Sequence, residues 1–583
     1  MVDRRTFLKY SVLAVPGLQL AGCGGGDSAS AQFLAWPIDG STVYTTAERQ
    51  IVATALPAGT PQINPAEVSK YAPYGYSAWQ SAGGLAHVKR TELAPQYSGA
   101  TSRGRLLSFF AMTDIHLSDK ESPAQPLYGD WSAAYGAAPH RGAGWSPSIV
   151  ATTHVLDAAV QTINALHARK PFDFGISLGD NINNSQYNEL RWFIDVLDGK
   201  TITPSSGAHA GADTIDYQRP YLAAGLDKAI PWYQVIGNHD QFWMGSYYEN
   251  AITQPAHVGS QILNIDSSNL GQEFAKTGFY QGVVDGTTPY GDVVGAGPQA
   301  SFATAPTVVA DANRRSLATS TSSCLNWMSE FFTTTSTPVG HGFTQANLDQ
   351  NFACYSFAPK AGLPLKVIAL DDTMNGMGQN LPSVKYARAA LDQRRLDWLK
   401  SELDEGQQNN KLMIIAAHVP INPQRTFDPT SGNYSLFVSP SVVSDSQLLA
   451  LLHNYSNLIL WISGHRHVNV VTPQPAPAGK GPEFGFWEVE TSSLRDFPQQ
   501  FRTFEIVANS DNTLSIVVTN VDPAVAAGSP AAASRGYAVG TARIFSTPPT
   551  LPAGDTSSHS YNAELVTQLS PTMQTTIGQL TLA

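Results

Sequence analysis

Five short, predominantly apolar runs punctuate the chain at 106–112, 172–178, 232–236, 412–417 and 458–463, and each gives way within two residues to a polar side chain. Runs this short, without the three-to-four spacing of a helix, predict buried strands. The polar residues they deliver are Asp114, Asp180, Asn238, His418 and His465. Between the runs the period changes. Val155, Ala159, Ile163 and Leu166 recur at helical spacing behind Ser146-Pro147, an N-cap followed by a proline at the first helical position. Tyr187, Leu190, Phe193 and Leu197 mark a second helix, and Leu391, Trp398, Leu399 and Leu403 a third, with Gly406 as its expected C-cap. Ser444 and Gln447 form a capping-box signature ahead of Leu448, Leu449, Leu451 and Leu452. Strands alternating with helices predict a layered α/β fold.

The alternation has borders. Before it, a Pro-, Gly-, Ala- and Tyr-rich stretch up to residue 102 predicts an extended N-terminal wrap with a few short strands. Within it, residues 241–363 form a Gly/Thr/Ser-rich insertion of the size that shapes access to a site. After the last run, 484–489 reads as a strand, while 503–507 and 514–519, joined by Asn509-Ser510-Asp511-Asn512, read as a hairpin. The Pro- and Ala-rich tail beyond them has no periodicity to interpret.

Composition narrows the class. Of 583 residues, 42% are hydrophobic and 10% aromatic with a mean hydropathy of −0.14, as in a soluble globular protein. Only 14% are charged, while 48 Gly and 38 Pro imply long irregular surface connections. A formal net charge of −11 without any Lys/Arg-rich tract excludes nucleic acid as the expected partner. An anionic substrate would then need concentrated local positive charge, for which bound divalent metals are the natural source. Residues 1–23 read as an address. Arg4-Arg5-Thr6-Phe7-Leu8-Lys9 and the short apolar stretch after it look like a twin-arginine export signal, and Leu20-Ala21-Gly22-Cys23 resembles a bacterial lipoprotein cleavage site. The expected location is therefore the periplasm or cell envelope, with the membrane reached only through a lipid on Cys23. Cys324 and Cys354 remain, either as a disulfide within one loop-rich region or as two buried thiols.

The chemistry sits at the strand ends. Taken singly, Asp114-x-His116 is a turn with a histidine, Gly179-Asp180 a helix N-cap, and His418 a core histidine. Gly237-Asn238-His239-Asp240 places an amide, an imidazole and a carboxylate on one loop, and Gly464-His465-Arg466-His467 points two imidazoles the same way. Their order is more specific than any one of them. Asp-x-His, Gly-Asp, Gly-Asn-His-Asp, His and Gly-His-x-His, each closing an apolar strand, resembles the calcineurin-like metallophosphoesterase superfamily across about 106–505, and within it the exported bacterial branch.

That resemblance implies a four-layer α/β/β/α sandwich and a dinuclear centre of two divalent transition metals (Mn, Fe or Zn). Asp114, His116 and His467 would hold one metal, Asn238, His418 and His465 the other, and Asp180 would bridge them. A metal-bridging hydroxide would hydrolyse a phosphate mono- or diester. His239 would be the general acid or, alongside Asn238, a hydrogen-bond donor to the substrate's phosphoryl group, with Asp240 fixing its tautomer. The organisation implied is a signal over 1–23, a tether and extension over 24–102, the metallophosphoesterase domain over 103–505, and a C-terminal strand and tail over 506–583. One departure stands out: the carboxylate common in the family three residues after the bridging aspartate is Asn183 here, which also argues against the tyrosine-bearing purple acid phosphatases. Arg495 is a further candidate substrate contact, with a surface pair to Asp496 as its competing reading, and His140 and Arg141 are weaker candidates. The alternative function is a non-catalytic metal- or phosphate-binding envelope protein on the same scaffold.

Overall fold

All five apolar runs are strands in the computed structural model: Ser102–Met112, Phe174–Ser177, Trp232–Gln234, Leu412–Ala416 and Leu458–Ser463. The structure describes residues 34–582 apart from 62, 64–66, 126, 128–146, 266–277, 319–323, 375–387, 422–436, 438–439 and 545–561. The expected export signal with Cys23, together with Ser146, His140 and Arg141, lies outside the described residues.

Two large sheets divide the strands. A seven-stranded sheet runs, in spatial order, Val88–Leu93, Ala563–Gln568, Thr513–Val521, Phe501–Asn509, Ser102–Met112, Phe174–Ser177 and Trp232–Gln234. Its last three strands are parallel, and the hairpin Phe501–Asn509/Thr513–Val521 pairs antiparallel to them through Ser102–Met112. A six-stranded sheet runs Tyr355–Phe357, Leu365–Ala369, Leu412–Ala416, Leu458–Ser463, Phe486–Glu490 and Val470–Gln474, with the middle four parallel and both edges antiparallel. Every residue of Phe174–Ser177, Leu365–Ala369, Leu412–Ala416 and Leu458–Ser463 is buried. Parallel strands covered on both faces require this, and it is why their sequences are continuous apolar runs.

The six-stranded sheet sorts its side chains by face. Ile414, Ala416, Leu460 and Ile462 enter a core shared with the seven-stranded sheet, whereas Met413, Ile415 and Trp461 pack with Leu399 and Leu403 of helix Gln393–Gln408 and Leu448 and Leu452 of helix Asp445–Leu452. The two sheets touch directly where Phe357 stacks on Tyr233 (centroids 3.6 Å) and meets Phe174 edge-on (5.5 Å). Helices Thr152–Arg169 and Tyr187–Asp198 bury Val155, Ala159, Ile163, Leu190, Phe193 and Leu197 in the larger core. The molecule is thus a mixed α/β protein with several sheets.

Local signals met different fates. The Ser444/Gln447 capping box forms as expected. Gly406 does not cap its helix, which continues to Gln408 with Asn409 at the C-cap; a Cβ at 406 would collide with Met413, so close packing on the sheet explains the glycine. The tail contributes real elements: helix Pro530–Ile544, the strand Ala563–Gln568 and helix Pro571–Gly578. Cys324 and Cys354 are buried thiols without a disulfide, Cys324 Sγ donating to Asn351 Oδ1 (3.2 Å) and Cys354 Sγ accepting from the Asp371 N–H (3.3 Å). Among the described residues no helix is long and apolar enough to cross a membrane.

Phe109 is fully buried and stacked between Phe174 and Phe504, both at 4.7 Å. Phe109→Ala should lower unfolding free energy by about 3–5 kcal/mol through lost burial and the cavity left behind. Urea denaturation measures it, and a loss under about 1 kcal/mol would contradict this account of the core.

Candidate metal centre

The strand ends of both sheets converge on one place. Asp114 and His116 follow Ser102–Met112, Asp180 follows Phe174–Ser177 and Asn238 follows Trp232–Gln234, all from the seven-stranded sheet. His418 follows Leu412–Ala416, and His465 and His467 follow Leu458–Ser463, from the six-stranded sheet. Their ligand atoms gather into three groups, Asp114/His116/His467, His116/Asp180/His239 and Asp180/His418/His465, with the atoms of each group within 4.8 Å of one another. Asn238 joins the last group through Oδ1, which lies 2.9 Å from His418 Nε2 and 3.1 Å from His465 Nδ1.

The backbone is bent to achieve this. Asp114, His116, Asp180, His465 and His467 all have left-handed φ values, between 48° and 75°. Each such conformation costs a non-glycine residue about 1–3 kcal/mol and survives only where surroundings over-determine it. Those surroundings are cross-strand hydrogen bonds: Asp114 N–H to Gly179 O (3.0 Å), His116 N–H to Asp180 O (3.0 Å), Gly464 N–H to His418 O (2.9 Å) and His465 N–H to Asp114 Oδ2 (2.8 Å). Gly464 is obligatory, because a Cβ there would overlap Thr113 Oγ1 and Asp114 Oδ2.

The donor set fits a cation. His418 Nδ1–H donates to Leu178 O (2.8 Å) and His116 Nδ1–H to Asn183 Oδ1 (3.0 Å), while His467 Nδ1 is engaged by Asp496. With each outer nitrogen occupied, each Nε2 lone pair faces inward, the arrangement that orients metal-ligating histidines. What those lone pairs face are other acceptors. His418 Nε2 lies 3.2 Å from Asp180 Oδ2, His467 Nε2 lies 3.2 Å from Asp114 Oδ1, and His116 Nε2 lies 3.0 Å from His467 Nε2. Asn238 spends its amide N–H on Gly245 O (2.9 Å), so its oxygen also points in. Asp114 Oδ1 is fully buried, and the nitrogens facing it are those same ring atoms, His467 Nε2 (3.2 Å) and His116 Nε2 (3.8 Å). Acceptors converging on acceptors in a buried place are stable only with positive charge between them.

The titration behaviour says the same. Burial opposes ionisation of Asp114 and Asp180, yet the imidazoles of His467 and His418 hold both carboxylates well below their ordinary range. Burial would lower His418, but Asp180, Asp114 and Asp372 push it up to about 10. His467 is likewise pushed up to about 10 against burial, by Asp114 and Asp496. Burial holds His465 down at about 3, helped by the charge of His418. In the cation-free cage, protons on His418 and His467 stand where cations would go.

The flanking residues partly depart from expectation. His239 is buried and held down at about 3 by desolvation, and its Nδ1 bonds to Asn183 O (2.9 Å). Asp240 therefore does not set the His239 tautomer. Its carboxylate accepts the backbone N–H of Gly237 (2.8 Å), Asp180 (2.9 Å) and Asn181 (3.2 Å), which ties the two loops together. Arg495 is not a surface partner of Asp496 either: it is 1% exposed, donates from Nη1 to Asn183 Oδ1 (3.2 Å), and leaves Asp496 to His467. Asp372 was missed. It follows the buried strand Leu365–Ala369 and accepts the backbone N–H of His418 (3.3 Å) and Val419 (3.1 Å), fixing the His418 loop. The run 365–370 ending in Asp371-Asp372 carries the same strand-end signature as the other five, but it adjoins the insertion and its carboxylates turn away from the cage, Asp371 to Arg395 (2.7 Å) and Thr373, and Asp372 to the backbone of the His418 loop.

No family model matches the chain, and no curated protein matches it. Among solved structures it is similar to a dimetal phosphatase from Danio rerio, with 12% identity, 72% of this chain and 99% of that chain covered, and a TM-score of 0.33. A likeness that slight carries no reading of fold or function.

Because His418 and His467 are raised to about 10 above an ordinary 6.5, their contribution to the metal-free fold is complete below 6.5 and disappears as pH rises through 10. Metal binding must displace those protons. Thermal unfolding in chelator should therefore fall in midpoint between pH 6.5 and 10, while affinity for Zn or Mn rises across the same window. Titration calorimetry in buffers of different ionisation enthalpy should register proton release on metal addition; pH-independent affinity would show that the rings carry no such protons.

Proposed function

We propose that this chain is an exported phosphoesterase that hydrolyses a phosphate mono- or diester at a dinuclear centre, built as a four-layer α/β/β/α sandwich. The observation that carries the reading is the pair of inward-facing donor sets on either side of Asp180, one of Asp114, His116 and His467, the other of Asn238, His418 and His465. Mixed imidazole, amide and carboxylate donors suit Mn, Fe or Zn and suit Ca poorly. What a bound pair of such cations supplies is acidification of a water nucleophile and neutralisation of phosphoryl charge.

The chain's own residues do the rest. Asp180 Oδ1 accepts the His239 N–H (2.8 Å), which leaves Oδ2 toward His418 and His116 and seats His239 beside the same carboxylate. The His239 ring meets that of His116 edge-on at 4.4 Å and converges with His116 and Asp180, so it lies against the cage between the two donor sets. With Nδ1–H given to Asn183 O, Nε2 is the nitrogen available to the leaving group. Burial opposes a proton there, and a phosphoryl anion brought beside the ring is the group that reverses this. Arg495, which donates to Asn183 Oδ1, is the second candidate substrate contact. Twin-arginine export would place this chemistry in the cell envelope, and the same cage without turnover is the reading to be eliminated.

At equal metal occupancy, His239→Ala should lower kcat by about 10²–10⁴ for an alkyl phosphate, whose alkoxide needs a proton, and by much less for p-nitrophenyl phosphate, whose leaving group does not. Equal loss on both would remove the acid role. Metal-loaded wild type inert toward p-nitrophenyl phosphate and its bis-ester would overturn the enzymatic reading.

A further inference from the structure

Asn183 is a junction. Its backbone oxygen accepts from His239 Nδ1 (2.9 Å), and its side-chain oxygen accepts from both His116 Nδ1 (3.0 Å) and Arg495 Nη1 (3.2 Å). Its own amide nitrogen donates to Gln125 Oε1 (2.9 Å), which fixes which way the amide points. One residue thus holds a cage histidine, the candidate acid and a guanidinium in register.

That guanidinium is incompletely used. Arg495 is 1% exposed, yet Nε and Nη2 have no hydrogen-bond partner among the described residues. These two nitrogens lie on the same edge of the planar group, with near-parallel N–H vectors spaced for two oxygens of one oxyanion. Its charge is felt by Asp496, but among the described residues no carboxylate pairs with it directly. Asp496 next in sequence is engaged by His467, and the side chain touching Nη1 is a neutral amide, not a carboxylate. A buried arginine with an open fork and no carboxylate of its own is arranged to receive an anion.

We propose that the Nε/Nη2 edge of Arg495 binds the terminal phosphate of a monoester and makes the site selective for dianionic monoesters over diesters. The proposal rests on the phosphoesterase reading above. A monoester presents three non-bridging oxygens sharing nearly two negative charges, so oxygens remain for a fork beyond those the cations would hold. A diester presents two non-bridging oxygens and one charge, and its remaining oxygens are esterified and weak acceptors. Asn183 is part of the device: an aspartate there would still accept from His116 but would pair with Arg495 and quench its charge.

The test uses metal-loaded, full-length protein and measures binding of inorganic phosphate and of dimethyl phosphate by calorimetry, alongside turnover of p-nitrophenyl phosphate and its bis-ester. Arg495→Gln should weaken phosphate about 10- to 100-fold, as expected for loss of charged hydrogen bonds, and weaken dimethyl phosphate by a far smaller factor. The monoester-to-diester ratio of kcat/KM should fall to match. Asn183→Asp, which keeps the arginine and the acceptor for His116, should shift both ratios in the same direction, and it carries the test should the Arg495 variant misfold. Equal weakening of both ligands, or unchanged phosphate affinity in Asn183→Asp, would overturn the subsite. If neither ester turns over, the phosphoesterase reading fails, while the binding ratios still report on the fork.

Discussion

Two buried carboxylates set the terms for this protein. Asp114 and Asp180 stay ionised in a place from which water is largely excluded, and they are ringed by imidazole and amide acceptors rather than by arginine or lysine. Charge of that sign cannot persist there without compensation, which protons on His418 and His467 provide and which bound cations would provide in their place. The strained φ values at five of the candidate ligands, the glycine at 464 and the outer hydrogen bonds of His116, His418 and His467 all serve to keep those acceptors pointed at one another.

The convergence depends on both sheets. Three strands of the seven-stranded sheet and two of the six-stranded sheet deliver candidate ligands, and bonds such as His418 Nδ1–H to Leu178 O and His465 N–H to Asp114 Oδ2 stitch the ends of the two sheets together. Packing such as Phe357 on Tyr233 therefore matters to chemistry, since sliding one sheet on the other would part Asp114 from His467. A second layer of buried polar residues then sets orientation: Asp372 for the His418 loop, Asp240 for the Asp180 loop, and Asn183 for His116, His239 and Arg495.

Legibility followed the range of the interaction. The strands were readable because burial on both faces leaves a continuous apolar run, and the candidate ligands because each sits within four residues of such a run. The Ser444/Gln447 cap was readable because it spans three residues. Gly406 misled, since a glycine late in a helix signals a cap locally while its actual reason, Met413, lies on a strand of the sheet. Arg495 and Asp496 misled in the same way: neighbours of opposite charge suggest a pair, but the fold turns one toward Asn183 and the other toward His467.

The sequence by itself determined the alternation of strands and helices, the identity of the polar residues at the strand ends and the chemical type of site they suit, because those are properties of short segments and of side-chain chemistry. Only the tertiary structure decided which carboxylate binds backbone and which faces the cage, which nitrogen of each histidine points inward, and that a buried arginine keeps one edge open beside them. Those outcomes depend on hydrogen-bond partners tens to hundreds of residues apart, and no local pattern encodes a partner that arrives from another element.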